Sequence, residues 1–257
     1  MTRLPVLYIS LIAISLMFTI QSFAEIDLEA AVGIWLFDEG KGDTVTDLSE
    51  NGNEGTLNGP EWVDGKFGKA LSFDGKDDAI EIPDSDSIND VDDLTMLAWV
   101  YLRRAVTSGS WNALFGKKPY ASGYLMWIEV PREPCGLVYS PGRSDCRAGV
   151  QLDLEKWYHL AFTRVNKGEM KFYIDGEEVK VAASTPGVIK TSPAPISIGG
   201  QSPQVIDGMI DDVAIFNVAL AEDDIKSLAD KGIDRTLSIT AASGKLTTTW
   251  GLIKSLQ

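Results

Sequence analysis

From residue 32 onward the chain is a succession of short apolar runs, many of them ending in glycine-containing turns. The clearest unit lies in "WYHLAFTRVNKGEMKFYIDGEEVKV" (residues 157–181), where MKFYI stops at Asp175-Gly176, a hairpin turn signal, and EEVKV resumes. The same pattern recurs in VGIWLF (32–37), KALSF before Asp74-Gly75, AIEI, LTMLAWVYLR (94–103), YLMWIEV (124–130), PISIGG and GMIDDVAIFNV (208–218). Runs this short cannot build a helical core, and their number predicts an all-β fold of two antiparallel sheets packed as a sandwich. One stretch departs from it. In AEDDIKSLADKG, Ile225, Leu228 and Ala229 recur at helical spacing, Glu222, Asp223 and Asp224 complement the dipole, and Gly232 ends the run. A single short helix is predicted over residues 222–231. With 257 residues, the chain is long enough for one sizeable domain.

The N-terminus reads as a processed segment. Arg3 precedes an apolar run, residues 4–20, and Ser22 and Ala24 stand three and one positions before Glu25. This is the pattern of a cleaved secretory signal, residues 1–24. It places the folded domain at residues 25–232, followed by a tail, residues 233–257, of no assigned role. The protein is then expected to be secreted or held in the cell envelope, with no membrane attachment after cleavage. A net charge of −14 argues against nucleic acid as a partner, because phosphates would be repelled, and is compatible with calcium. Export also bears on Cys135 and Cys146, which lie in a Gly-, Pro- and Ser-rich segment. In an oxidising compartment two such loop cysteines are expected to pair, a bridge contributing about 3 kcal/mol at most. A metal site or catalytic thiol there lacks partners. The one histidine, His159, sits inside an aromatic strand away from any nucleophile elbow and reads as structural.

Five blocks in order resemble the LamG-like jelly roll of the concanavalin A-like lectin/glucanase superfamily. They are GIWLFDEGKGDTVTDLSENGNEGTLNG (33–59), GKFGKALSFDGKDDAIEIPDSDSI (65–88), LTMLAWVYLR, EKWYHLAFTRVNKGEMKFYIDGEEV (155–179) and SIGGQSPQVIDGMIDDVAIFNVALAEDDIKSLADKG (197–232). The resemblance implies two antiparallel sheets face to face. It also implies a structural calcium, whose matching positions are Glu39, Asp47, Asn53 and Asp211. The loop DLSENGN opens like an EF-hand, with Asp47, Ser49, Asn51, Gly52 and Asn53, but position 12 is Asn58 and no helices flank it, so that motif is set aside. Strict alternation puts Asp211 on one strand face with Val213 and Ile215. One departure from the family is Ala221, where the helix N-cap is usually Ser.

Laminarinase-type glycoside hydrolases share this superfamily and carry a Glu-x-Asp-x-Glu signature that EIDLE resembles. On an extended strand Glu25, Asp27 and Glu29 would form one row of carboxylates. Here the motif precedes the first strand and abuts the cleavage site, which favours a solvated acidic start over an active site. Glu129 and Glu133 are a second acid pair for the hydrolase alternative. The preferred expectation is a non-catalytic binding module that recognises a glycan or an extracellular protein. Its candidate contacts are Trp111, Tyr120 and Tyr139, read as lying on irregular segments, with Arg103, Arg104 and Arg143 as donors. Trp35, Trp99 and Trp157 read as core.

Overall fold

The computed structural model describes residues 26–106, 111–117, 122–190, 192–201 and 203–240. The signal segment, Glu25, Tyr120 and the last 17 residues of the expected tail lie outside them. The first strands are β1 (Ala31–Trp35), β2 (Thr44–Val45), β3 (Gly55–Asn58), β4 (Glu61–Asp64), β5 (Lys69–Asp74) and β6 (Ala79–Ile82). After helix α1 (Asp86–Asn89) come β7 (Leu94–Leu102), β8 (Trp111–Lys117), β9 (Tyr124–Glu129), β10 (Glu133–Ser140) and β11 (Gly142–Arg147). Then follow β12 (Trp157–Arg164), β13 (Glu169–Ile174), β14 (Glu177–Ala183), β15 (Ile196–Ile198), β16 (Gly200–Gln201), β17 (Gln204–Val205) and β18 (Asp207–Phe216). Helices α2 (Glu222–Lys231) and α3 (Ile233–Thr240) end the described chain.

Two antiparallel sheets form the sandwich. The first runs β14-β13-β12-β7-β18-β5-β4, with β1 also paired to β18, and the second runs β11-β10-β9-β8-β15-β6-β3-β2. Their facing sides interdigitate. Met96, Ala98, Val100, Leu160, Phe162, Phe172, Ile210, Val213 and Ile215 meet Ile80, Leu114, Phe115, Met126, Ile128, Val138 and Ile198 in one buried cluster. Apolar burial of this kind is the main favourable term in folding. Trp35 is fully buried in this core, and its indole N–H donates to the Asn53 carbonyl at 2.8 Å. The fully buried Arg164 reaches from β12 across to the second sheet, donating to Ser140 Oγ at 2.7 Å and to the Gly187 carbonyl at 2.6 Å.

The outer side of the first sheet is buried as well. Ile34, Leu97, Ala161, Ala214 and Phe216 lie under Ile225 and Leu228 of α2 and Ile233 and Leu237 of α3. Ile26 joins the same cluster. Packing therefore continues past Gly232, the end expected from sequence, because α3 supplies an apolar stripe of its own. The helix expected at 222–231 is α2, with Gly232 at its C-cap.

Strand β18 corrects the expected alternation. A bulge lies between Asp211 and Ala214 where β18 pairs with β7, and Asp212 sits at φ 47°. One extra residue reverses the parity. Ile210, Val213 and Ile215 face the inter-sheet core, whereas Ala214 and Phe216 face α2 and α3. Asp211 stands opposite Trp99, not beside Val213 on the inner face.

Gly, Pro and Ser crowd the hairpin β10–β11 and give it a loop-like sequence. The structure gives each a place. A Cβ on Gly136 would lie 2.3 Å from the Phe162 ring, so the close approach of the two sheets requires glycine there. Pro141 occupies the turn between the strands. This pairing also overturns the expected disulfide. Cys146 is opposite Gly136, and Cys135 is opposite Arg147, so the cysteines are one residue out of register and point to opposite faces. Cys146 lies in the inter-sheet core and Cys135 in a separate cluster on the outer side. Both are free and buried, and burial pushes the Cys146 thiol up to about 11. A thiol titration of the unfolded protein without reductant should count two thiols per chain; none would restore the bridge.

The N-cap of α2 is Ala221, in extended conformation and without a side-chain cap hydrogen bond. Ala221→Ser supplies an acceptor for the first-turn amides and should raise stability by about 1 kcal/mol. Chemical denaturation would show this as a higher midpoint at unchanged slope, and an unchanged or lower midpoint would contradict it.

Candidate functional site

Among the described residues, no helix lies over the outer face of the second sheet, in contrast to the first. Its outer residues follow from strand register. Trp111 is opposite Glu129, which is opposite Glu133. In the next row Ala113, Trp127, Cys135 and Arg147 align across four strands. Beyond them Leu125, Leu137 and Asp145 align, and Tyr139 is opposite Arg143. The floor, Leu125, Trp127 and Leu137, is nearly inaccessible, while Trp111 and Tyr139 pack half-buried at its sides. Together with Lys117, Ser122, Tyr124, Glu129, Arg143 and Arg147 they line a cleft of about 310 Å³.

Charged groups ring the aromatics in fixed pairs. Arg147 Nη2 lies 3.3 Å from Glu129 Oε2, which also accepts from the Trp127 indole at 3.1 Å. Arg143 Nε donates to Asp145 Oδ1 at 2.7 Å, and its guanidinium lies 5.7 Å from the centre of the Trp127 ring. Bonding to Asp145 raises the Arg143 pKa above its ordinary value. Lys117 is buried and its ammonium is held by Asp84.

Of the expected ligand contacts, Trp111, Tyr139 and Arg143 therefore converge on one cleft, and they do so from strands β8, β10 and β11, not from irregular segments. Tyr120 lies outside the described residues. Arg103 and Arg104 sit elsewhere, paired with Asp207 at 2.8 and 3.0 Å. Sequence reading missed Trp127, Glu129 as a cleft residue, and Arg147. The signal was present in alternation: Leu125, Trp127 and Glu129 share a face, as do Arg143, Asp145 and Arg147.

The four residues matched to a calcium site each carry hydrogen bonds of the fold. Asp47 accepts from the Ile34 and Ser49 amides through Oδ1 and from Ser49 Oγ and the Asn53 amide through Oδ2. Asn53 donates to the Val32 carbonyl and Ser87 Oγ, and Glu39 Oε1 accepts from the Thr46 amide. Asp211 Oδ2 accepts from Lys66 and Phe67 in a different loop. These oxygens fasten separate turns to the sheets. Among the described residues, the carboxylates grouped within 4.8 Å of one another are Asp74, Asp77 and Asp78, in the turn after β5. Asp74 there pairs with Lys76, and Asp78 accepts from the Asp74 amide.

Within the EIDLE motif, Glu25 lies outside the described residues, and Asp27 and Glu29 are not on an extended strand. Residues Leu28–Ala30 are a 3-10 turn capped by Asp27, whose Oδ1 accepts from the Glu29 amide at 3.0 Å, and Asp27 and Glu29 are exposed. Glu129 and Glu133 do face each other, but Glu129 is held by Arg147 and Glu133 accepts from the Gly149 amide at 2.8 Å. His159 is buried and both ring nitrogens lack hydrogen-bond partners among the described residues, so no triad is assembled around it. No helix among the described residues is long and apolar enough to cross a membrane.

Two antiparallel sheets packed face to face in this way place the chain in the jelly-roll class. The chain belongs to the concanavalin A-like lectin/glucanases superfamily, whose Laminin_G_3 family matches residues 74–226. Among solved structures, it is similar to domain 4 of AbnA, a GH43 extracellular arabinanase from Geobacillus stearothermophilus, solved with arabinotriose. That match has 24% identity and a TM-score of 0.64, covering 77% of this chain and 98% of that domain. The binding domain of Paraclostridial Mosquitocidal Protein 1 is 17% identical with a TM-score of 0.67, over 79% of this chain and 52% of that one. The binding domain of Botulinum neurotoxin DC, solved with rat synaptotagmin II, is 16% identical with a TM-score of 0.64, over 80% and 52%. The chain thus spans about half the length of these toxin binding domains. No curated protein sequence matches it.

Buried carboxylates behind the first sheet set a pH dependence. Burial, with the neighbouring Asp212 charge, pushes Asp211 up to about 8, and burial pushes Asp212 up to about 7. Asp211 Oδ1 has no hydrogen-bond partner among the described residues. The unfolded chain releases the Asp211 proton near 3.8, so the folded form binds more protons from there up to about 8 and stability falls as pH rises through that window. Asp211→Asn keeps an acceptor for Lys66 and Phe67 and removes the charge. Its melting temperature relative to wild type should be higher at about pH 8 than at about pH 5; an equal difference at both would reject a buried, protonated Asp211.

Proposed function

We propose that this protein is an exported, non-catalytic glycan-binding module and that the cleft between β8, β9, β10 and β11 holds the sugar. The observation that carries the reading is the cleft itself, where half-buried Trp111 and Tyr139 flank an apolar floor ringed by paired charges. Aromatic side chains offer apolar surface to the C–H face of a sugar ring, and the surrounding polar groups bind its hydroxyls. The arabinanase domain's structure with arabinotriose is in keeping with this use of the fold. A protein partner is less favoured, since a cleft of about 310 Å³ suits a small ligand better than a flat interface.

The test is a glycan array run beside a β-glucan hydrolysis assay on the purified protein. Saturable binding without release of reducing ends is expected, and Trp111→Ala or Tyr139→Ala should weaken it about tenfold or more, the scale of about 1.4 kcal/mol. Turnover abolished by Glu129→Gln or Glu133→Gln would overturn the non-catalytic reading, because a retaining mechanism requires both carboxylates.

A further inference from the structure

We infer that the sugar held by this cleft is neutral, a pentose or hexose unit presenting a vicinal diol, and not a uronate, sialylated or sulfated glycan; this rests on the glycan-binding reading above. Taken alone, the arginines of the lining, Arg143 and Arg147, suggest the reverse. Each is already matched. Glu129 Oε2 lies 3.3 Å from Arg147 Nη2, and Asp145 Oδ1 lies 2.7 Å from Arg143 Nε. The third base of the lining, Lys117, is 1% exposed and held by Asp84. Cations and carboxylates therefore balance at the site, inside a chain of net charge −14.

An anionic ligand would have to displace Glu129 or Asp145 from its arginine, or sit beside that carboxylate at like-charge cost. The negative chain as a whole would slow its approach. A diol meets neither penalty. One hydroxyl donates to a carboxylate oxygen, and its neighbour accepts from a guanidinium N–H, so an Arg–carboxylate pair complements two adjacent hydroxyls. The two pairs share a face. Arg147 aligns with Trp127 across the sheet, and Asp145 aligns with Leu137 and Leu125. Glu129 has used one oxygen for Arg147 and the Trp127 indole, and a carboxylate carries further acceptor sites. The Trp127 contact also holds this carboxylate at the cleft floor, so the acceptor is positioned before a ligand arrives.

The test is calorimetric titration of the full chain with two oligosaccharide panels. One is neutral, comprising arabinan, xylan, β-glucan and mannan fragments, and the other is acidic, comprising oligogalacturonate, sialyl-lactose and sulfated galactan fragments. Expected is binding within the neutral panel, at least about tenfold tighter than any acidic member. The affinity should change less than about twofold between about 0.05 M and about 0.5 M NaCl, since no net charge is neutralised. Glu129→Gln keeps the shape but leaves Arg147 unmatched. It should weaken neutral binding and narrow or reverse the preference against oligogalacturonate, a change that a merely structural role for Glu129 would not produce. Acid-selective binding that falls steeply with salt would overturn this inference and leave the glycan-binding reading standing. Binding to neither panel would overturn both.

Discussion

The first sheet has to be covered on both sides, and the arrangement of the rest follows from that. Strands β7, β12 and β18 carry apolar residues on each face, Met96, Val100, Phe162 and Ile215 inward and Leu97, Ala161, Ala214 and Phe216 outward. Strands apolar on both faces cannot border water. The second sheet closes one side. The other is closed by α2, α3 and the N-terminal turn, which is why Ile26, Ile233 and Leu237 belong to the packed unit although they lie at its ends in sequence. With those helices committed there, no helix among the described residues covers the outer face of the second sheet. Its aromatics are then left to line a cleft.

Much of this was legible in the sequence where one signal acts alone. The strand run AIEI is β6, LTMLAWVYLR overruns β7 by one residue, and the helix at 222–231 appears with its terminal Gly232. The misreadings arose where a second force overrides the local one. Gly136 weakens a strand locally, yet the Phe162 ring leaves no room for a Cβ, and the strand forms because the sheets pack there. The faces of β18 were misread past Asp211 because alternation assumes an unbroken period of two, and a bulge has no fixed sequence mark. The cysteine pair failed for the same reason of parity. Spacing along the chain sets neither register nor face, and a one-residue offset across a hairpin separates two thiols completely.

The polar residues matched to a metal site are engaged by the backbone in different ways. Oxygen-bearing side chains near the first strand do converge on a loop, but Asp47 spends both oxygens on the Ile34, Ser49 and Asn53 donors. Composition identifies residues able to bind a cation. It does not identify which of them the backbone claims first, and orphan amides at turns are strong claimants because leaving them unpaired is costly. Asp211 is the opposite case. Two amides from the 65–67 turn engage one oxygen, and the other is buried without a partner among the described residues, so its charge has little to offset desolvation and its proton is retained well above the ordinary range.

Burial and pairing divide the charged groups of this fold into two kinds. Arg164 and Lys117 are inaccessible and spend their donors on fixed partners, Ser140, Ser184 and Gly187 in one case and Asp84 in the other. They tie strand ends together. Arg143 and Arg147 are paired too, but their side chains remain 50% and 46% exposed, and a guanidinium has five N–H donors of which a single carboxylate takes one or two. Pairing fixes their position and cancels their charge, and partial exposure leaves donors aimed outward. An arginine in that state is oriented before a ligand arrives, so less side-chain freedom is lost on binding. The cleft therefore combines rigid aromatic walls on strands with donors whose geometry is set by Glu129 and Asp145, and both properties derive from the strand register that placed these residues on one face.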